Sequence, residues 1–258
     1  MTTYYKTLQK EATMKKITAT IAGLIFLCNV PAHAGFLDDV MGTVEKVTNT
    51  KTTNGDTGMN QETIVAGLKE ALQVGTGKAV TLISKNNGYF GNNQIKIQMP
   101  EKIRLITDTL RKYGFDKQVN DFELSMNRAA EKAAPKAKKI VVNAVKAMSF
   151  ADAKKILNGG KTAATDYLQS KTSEQLFAEF KPSISSSMNK VGVARYYKAM
   201  MSKVDSLPYM PTQSVDVDNY VTDKALAGFF FMLGQEEKAI RENPTARVTD
   251  LLKQVFTK

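Results

Sequence analysis

From Gln61 onward apolar residues recur every three or four positions, the spacing a helix needs to bury one face. Ile64, Val65, Leu68, Ala71 and Leu72 open the pattern, Val80 to Ile83 extend it, and Asn86-Asn87-Gly88 ends it. Ile95, Ile97 and Met99 then alternate with polar residues, which is the period of a strand. A lone strand has no evident partner in such a chain, so an extended loop is expected there. Pro100 suits the first turn of the next helix, which carries Ile103, Ile106, Leu110 and Tyr113 and stops at Gly114. Another helix is predicted over about 116–134, with Val119, Phe122, Met126, Ala129, Ala130 and Ala133 on its apolar face.

Pro135 leaves two readings open, a new helix or a kink in a continuous one. Beyond it Ile140 to Val142, Val145 and Met148 carry the apolar face onward. Ser149, with Asp152 three residues later, is close to a capping box, and Asn158-Gly159-Gly160 is a strong stop. Helices are predicted at about 163–170, 173–190 and 193–205, with Thr172 and Gln175 as a second capping box. The segment 206–217, which holds Pro208 and Pro211, reads as a loop. Asp216 or Asp218 is expected to cap the helix that follows, which runs to Asn243. In it Leu226, Phe229, Phe230, Phe231, Met232 and Leu233 point to every side, so burial all round is expected. Asn243-Pro244 opens a terminal helix with Val248, Leu251, Leu252, Val255 and Phe256. With 43% apolar and 24% charged residues in 258, the composition is that of a globular chain. The predicted class is all-α, a single multi-helix domain over 61–258.

The first sixty residues read differently. Met14-Lys15-Lys16 offers a start followed by a short positive region, with residues 1–13 upstream of it. An apolar run from Ile17 to Val30 follows. Pro31-Ala32-His33-Ala34 then places small residues at the −3 and −1 positions before Gly35, completing the three-part pattern of a secretory signal. Cleavage after Ala34 and a periplasmic product are expected. Lipid attachment at Cys28 is disfavoured, because Phe26 and Leu27 are bulky where that chemistry wants a small residue. Residues 35–60 are expected to form a short amphipathic helix, from Phe36 to about Val47, and a polar, flexible linker over 48–60. Beyond the signal no stretch approaches the ~20 apolar residues that a membrane-spanning helix needs.

Cleavage at Ala34 would remove Cys28 and His33, the one cysteine and one histidine of the chain. Cysteine-based zinc sites, Ser-His-Asp triads and Cys-His dyads are thereby excluded from the mature protein. Carboxylates, lysines, tyrosines and hydroxyls remain for chemistry, and no cofactor or metal is expected. Asp216-Val217-Asp218 lacks the glycine and the distal glutamate of a calcium loop. Gly75-Thr76-Gly77-Lys78 lacks the preceding strand and the full spacing of a phosphate loop.

Several segments carry a resemblance. Leu68-Lys69-Glu70-Ala71-Leu72, Gly88-Tyr89-Phe90-Gly91-Asn92, the stretch 124–131 around Asn127-Arg128, and Ile156-Leu157-Asn158-Gly159-Gly160 come in order. Tyr220-Val221-Thr222-Asp223-Lys224 and the stretch 240–252, Ile240 to Leu252, follow. Over about 61–258 the chain resembles domain-of-unknown-function family 4197. The resemblance implies a helical, secreted or periplasmic protein of Gram-negative type and brings no activity or assigned site.

Charge singles out one region. The chain carries a formal +11, and residues 1–34 hold Lys6, Lys10, Lys15 and Lys16 against Glu11, so eight surplus positive charges stay after cleavage. Between 132 and 171 nine lysines face only Asp152 and Asp166. Either these lysines are a solvated face or they meet an anionic partner; for an exported chain that partner is phospholipid or lipopolysaccharide, not nucleic acid. Were Pro135 to begin a helix, Lys136, Lys138 and Lys139 would sit in its first turn, where free N–H groups favour phosphate. Asn127, Arg128 and Glu131 lie among small residues and read as a polar network or as a ligand-facing group. Glu236, Glu237, Arg241, Arg247 and Asp250 form a second charged cluster near the C-terminus. Phe229 to Met232 with Tyr196, Tyr197, Met200 and Met201 supply either ordinary core or a cavity for an acyl chain.

Two functions compete. One is an envelope protein that binds an anionic or acyl-chain-bearing component, with Lys136, Lys138, Lys139, Arg128 and Glu131 as candidate contacts. The other is a carboxylate-based hydrolase of an envelope polymer, with Glu131 or the Glu236/Glu237 region as the acid. Export is tested directly: intact-mass analysis of the secreted protein is expected to show an N-terminus at Gly35. Retention of residues 14–34, or a diacylglycerol on Cys28, would overturn that expectation.

Overall fold

Helices form where the three- and four-residue spacing predicts them, and in one place a helix runs on through a predicted break. The computed structural model describes residues 61–204 and 215–243, together with 247, 249, 250 and 253. The signal, the 35–60 segment, most of the 206–217 loop and most of the terminal helix lie outside the described residues. In chain order the helices are α1 (Gln61–Ser84), α2 (Arg104–Lys112), α3 (Asp116–Ala133) and α4 (Ala137–Ala147), then α5 (Phe150–Leu157), α6 (Ala163–Val191), α7 (Val193–Val204) and α8 (Val217–Glu242). Short 3-10 turns, Glu101–Ile103 and Ala134–Lys136, lead into α2 and α4. No strand occurs among the described residues, and none of the helices described is long and apolar enough to cross a membrane.

Local chemistry explains most boundaries. Ser149 accepts the Asp152 amide N–H at 3.1 Å while Asp152 accepts the Ser149 amide at 3.2 Å, the expected reciprocal cap of α5. The Ser149 hydroxyl and amide hold the Asp152 carboxyl below its ordinary range. Asp216 caps α8 by accepting the Asn219 N–H at 3.0 Å. At the end of α2, Gly114 has φ of 81°, and the amides of Gly114 and Phe115 bond back to Arg111 and Leu110 at 3.0 and 2.9 Å. That pair of bonds closes the carbonyl end of the helix, and the left-handed conformation it requires favours glycine.

The predicted break at Thr172 is absent. Thr172 is buried and donates its hydroxyl to the Leu168 carbonyl at 2.6 Å, inside an unbroken α6. Leu168, Leu176, Phe180, Ile184 and Met188 form a continuous buried face, and that face outweighs both the capping signal and Pro182. Pro182 denies the Ala178 carbonyl its helical donor without ending the helix.

Helices α6 and α8 pack along each other, with α1 and α3 also against α8, and α3, α4, α5 and α7 also against α6. Burial of α8 is not all round, contrary to expectation. Phe229, Phe230 and Leu233 are buried, but Phe231 is 37% exposed and Met232 is half-buried. Five consecutive apolar residues wrap more than a full turn, and packed neighbours do not cover the whole circumference.

The turns that follow α1 are pinned to α8 through Tyr89. Its ring is wholly buried and its hydroxyl donates to the Ala225 carbonyl at 2.7 Å. Burial, reinforced by the nearby Glu131 carboxylate, pushes the phenol far above its ordinary range and keeps it a donor. The ring lies against Gly228, where a Cβ would come within 2.7 Å of Cε1. Gly228→Ala is therefore expected to destabilise the fold by about 1–3 kcal/mol through overpacking. Gly77, with nothing within 4 Å of an added Cβ, is its control: Gly77→Ala is expected to be neutral or to stabilise by up to about 1 kcal/mol. Urea denaturation of both variants checks the contrast, and equal effects would refute the steric account.

Candidate functional site

Asn127, Arg128 and Glu131 stand together on α3 and face the 85–97 segment. Asn127 is fully buried; its Oδ1 accepts the Ile97 N–H at 2.9 Å, and its Nδ2 donates to the Ile97 carbonyl at 2.8 Å. The amide thus supplies both bonds that a neighbouring strand would give Ile97. Ile95 and Ile97 are buried, as their alternation predicts, in an extended loop whose ladder partner is a side chain. Glu131 accepts the Tyr89 and Phe90 amides at 3.1 and 3.2 Å on Oε1, and Arg128 pairs with its Oε2 at 2.6 Å. Arg128 also donates to Asn87 Oδ1 at 2.8 Å. Both carboxylate oxygens are occupied, and Glu131 is 3% exposed.

The C-terminal cluster is built the same way. Glu237, on α8, accepts the Ala164 amide at 3.0 Å and the Thr165 amide and hydroxyl at 2.8 Å each, at the start of α6. A carboxylate there satisfies helix donors and meets the positive end of the helix dipole. Arg241 pairs with Glu237 at 2.9 Å and donates to the Ile156 carbonyl, in the last turn of α5, at 3.0 Å. Arg247 donates to the carbonyls of Ile240 and Arg241 at 3.1 and 3.0 Å, closing the end of α8. Asp250 instead pairs with Lys253, and Glu236 is half-buried beside Gly75.

At Pro135 the backbone stays helical but changes type: α3 ends at Ala133, the 3-10 turn Ala134–Lys136 follows, and α4 starts at Ala137. The Ala134 amide bonds to Ala130 and the Ala137 amide to Ala134 and Pro135, and α4 begins at Ala137 with Lys136 as its N-cap. Lys136, Lys138 and Lys139 are exposed on the outer side, opposite the buried Ala137, Ile140 and Val141. Lys139 and Lys146, two turns apart, share one stripe of α4. Arg128 and Glu131 face the loop instead, so the five candidate contacts divide into a polar network and a basic surface.

Other candidates resolve into structure. Gly75 to Lys78 lie inside α1. Asp218 accepts the Ser185 hydroxyl, and no group of metal-binding side chains occurs among the described residues. The aromatic stock packs on itself, with Phe229 and Phe230 centroids 5.2 Å apart and Phe122 and Tyr197 5.3 Å apart. The apolar void between α1, α6 and α8 holds about 10 Å³, too little for an acyl chain. An open groove of about 630 Å³ lies between Lys96–Arg104 and the start of α8. On its walls Arg104 pairs with Glu101 at 3.4 Å, Lys96 pairs with Glu123 behind it at 3.2 Å, and Tyr220 donates to the Gln98 carbonyl at 2.9 Å. Sequence reasoning missed this groove and the Tyr89 anchor; Tyr89 between Gly88 and Gly91 was the visible hint.

Asn127→Ala strips Ile97 of two partners and is expected to destabilise by about 1–3 kcal/mol for each buried group left unpaired. Hydrogen exchange at the Ile97 amide should accelerate in step. Unchanged exchange would show that Asn127 does not hold the loop.

The family described as a protein of unknown function, DUF4197, matches residues 58–257. No curated protein and no solved structure matches the chain. The ordered motifs from Leu68 to Leu252 and the family match over all but the first part of the chain agree, and the protein belongs to the DUF4197 family.

Proposed function

We propose that the mature chain is an exported envelope protein that binds an anionic envelope component through the outer face of α4 and α5. One observation carries this reading. All nine lysines between 132 and 171 are exposed, while the two acids of that stretch are engaged locally. Asp152 accepts from Ser149 and from the Tyr167 hydroxyl at 3.2 Å, and Asp166 from Thr162 at 3.3 Å. Lys161 pairs with Glu242 at 2.6 Å; of the other eight lysines five, Lys138, Lys139, Lys146, Lys154 and Lys155, lie on α4 and α5. A surface of one sign draws counter-charged partners from solution.

Acid catalysis has less support. Glu131 and Glu237 each bind two backbone amides and an arginine, and both are buried. A buried carboxylate whose oxygens are all taken up this way acts as a fastener.

Binding through the lysines should be electrostatic. It should weaken with salt as the Debye length falls from roughly 10 Å at 0.1 M to about 3 Å at 1 M. Each lysine near an anionic surface contributes on the order of 1 kcal/mol. Replacing Lys136, Lys138 and Lys139 together by Gln should thus weaken binding by about 3 kcal/mol at most, roughly a hundredfold. Co-sedimentation with anionic and zwitterionic vesicles, at low and high salt, reads this out. No preference for anionic vesicles, or equal binding by the variant, would return these lysines to a solvated face.

A further inference from the structure

The corner between α4 and α5 carries an exposed aromatic side chain whose meaning rests on the basic-face reading and sharpens it. Phe150, the first residue of α5, is 44% exposed, although the capping box around it fixes its backbone. Along α5 Ala153 and Ile156 are buried, so the exposed Phe150, Ala151, Lys154 and Lys155 make up the outer face. Phe150 and Lys154, one turn apart, are neighbours on it. Lys146 and Ala147, also exposed, end α4 immediately before. Lys69 of α1 donates to the Lys146 carbonyl at 3.0 Å and brings another cation to the same corner. Lys171 of α6 lies near enough to Asp152 to act on its carboxyl, and Asp152, the acid of this corner, is held by Ser149 at 2.6 Å and by Tyr167.

A phenyl ring thus stands among cations, next to an acid, Asp152, that is already engaged. A soluble polyanion gains from the lysines and nothing from the ring. An anionic bilayer gains from both, because headgroups attract the ammonium groups and the interface takes up an aromatic side chain. We infer that Phe150 inserts into the interface of an anionic bilayer while Lys146, Lys154 and Lys69 hold the headgroups, so that the partner is a lipid surface.

The chain contains no tryptophan, so Phe150→Trp introduces a single reporter at the contact. The probes are phosphatidylglycerol/phosphatidylcholine vesicles, phosphatidylcholine vesicles and soluble polyphosphate. Tryptophan emission is expected to shift to the blue and to become shielded from acrylamide on the anionic vesicles alone. Phe150→Ala, with its helical circular dichroism intact, should bind those vesicles about tenfold more weakly, the scale of removing one partly buried aromatic contact. Salt-sensitive binding without a blue shift, and with full affinity in Phe150→Ala, would overturn the insertion of Phe150 and leave the basic face standing. An equal blue shift on polyphosphate would overturn the lipid as partner. Absence of binding to anionic vesicles by every variant would overturn the basic face and this inference together.

Discussion

A helix that begins inside a protein presents donors that must find acceptors, and the longest helix here begins in that position. Helix α6 touches most of the other elements, so its placement governs the rest of the fold. Its first turn is received by Glu237, seventy-odd residues along the chain, on the one face of α8 that reaches it. Gly234, one turn earlier on α8, lies beside Thr162 and Thr165, at a distance where even an added Cβ would make ordinary contact. Arg241 then neutralises the carboxylate and takes up a carbonyl from the end of α5. One carboxylate and one guanidinium thereby join three helices at a corner that would otherwise hold unpaired backbone groups.

The same device appears at the other end of the core. Glu131 gathers two amides of the 85–97 segment, and Arg128 neutralises it. Asn127, one turn before Glu131, gives Ile97 both bonds of a ladder. A short extended segment in an all-helical protein has no sheet to join, and side chains from α3 stand in for the missing strand. Both fasteners are charged and buried, yet each is fully satisfied, the condition under which such groups can be kept inside.

Much of this was legible in local patterns. Apolar spacing predicts the helices, the Ser149–Asp152 pair predicts the start of α5, and Gly114 the end of α2. Arg128–Glu131 and Glu237–Arg241 also announce themselves as pairs three and four residues apart. What those pairs hold is not legible, because the amides they receive lie forty to seventy residues away. The false break at Thr172 has a related cause. A capping motif describes a possible start, and a buried face that continues through it decides otherwise. Phe231 shows the converse, since hydrophobicity on every side of a segment does not guarantee neighbours on every side. At Pro135 sequence left two courses open, and packing of Ala133, Ala134 and Ala137 into the core accompanies a 3-10 turn that joins α3 to α4.

The tie between Tyr89 and Ala225 spans 136 positions, and the tie between Ala164 and Glu237 spans 73. Both end on α8, among the last helices to be made. A polypeptide emerging from its N-terminus would therefore hold the Tyr89 ring without its glycine shelf, and the first turn of α6 without its acceptor, until nearly all of it has appeared. Contacts of such long separation form late. Until then the earlier helices lack both ties.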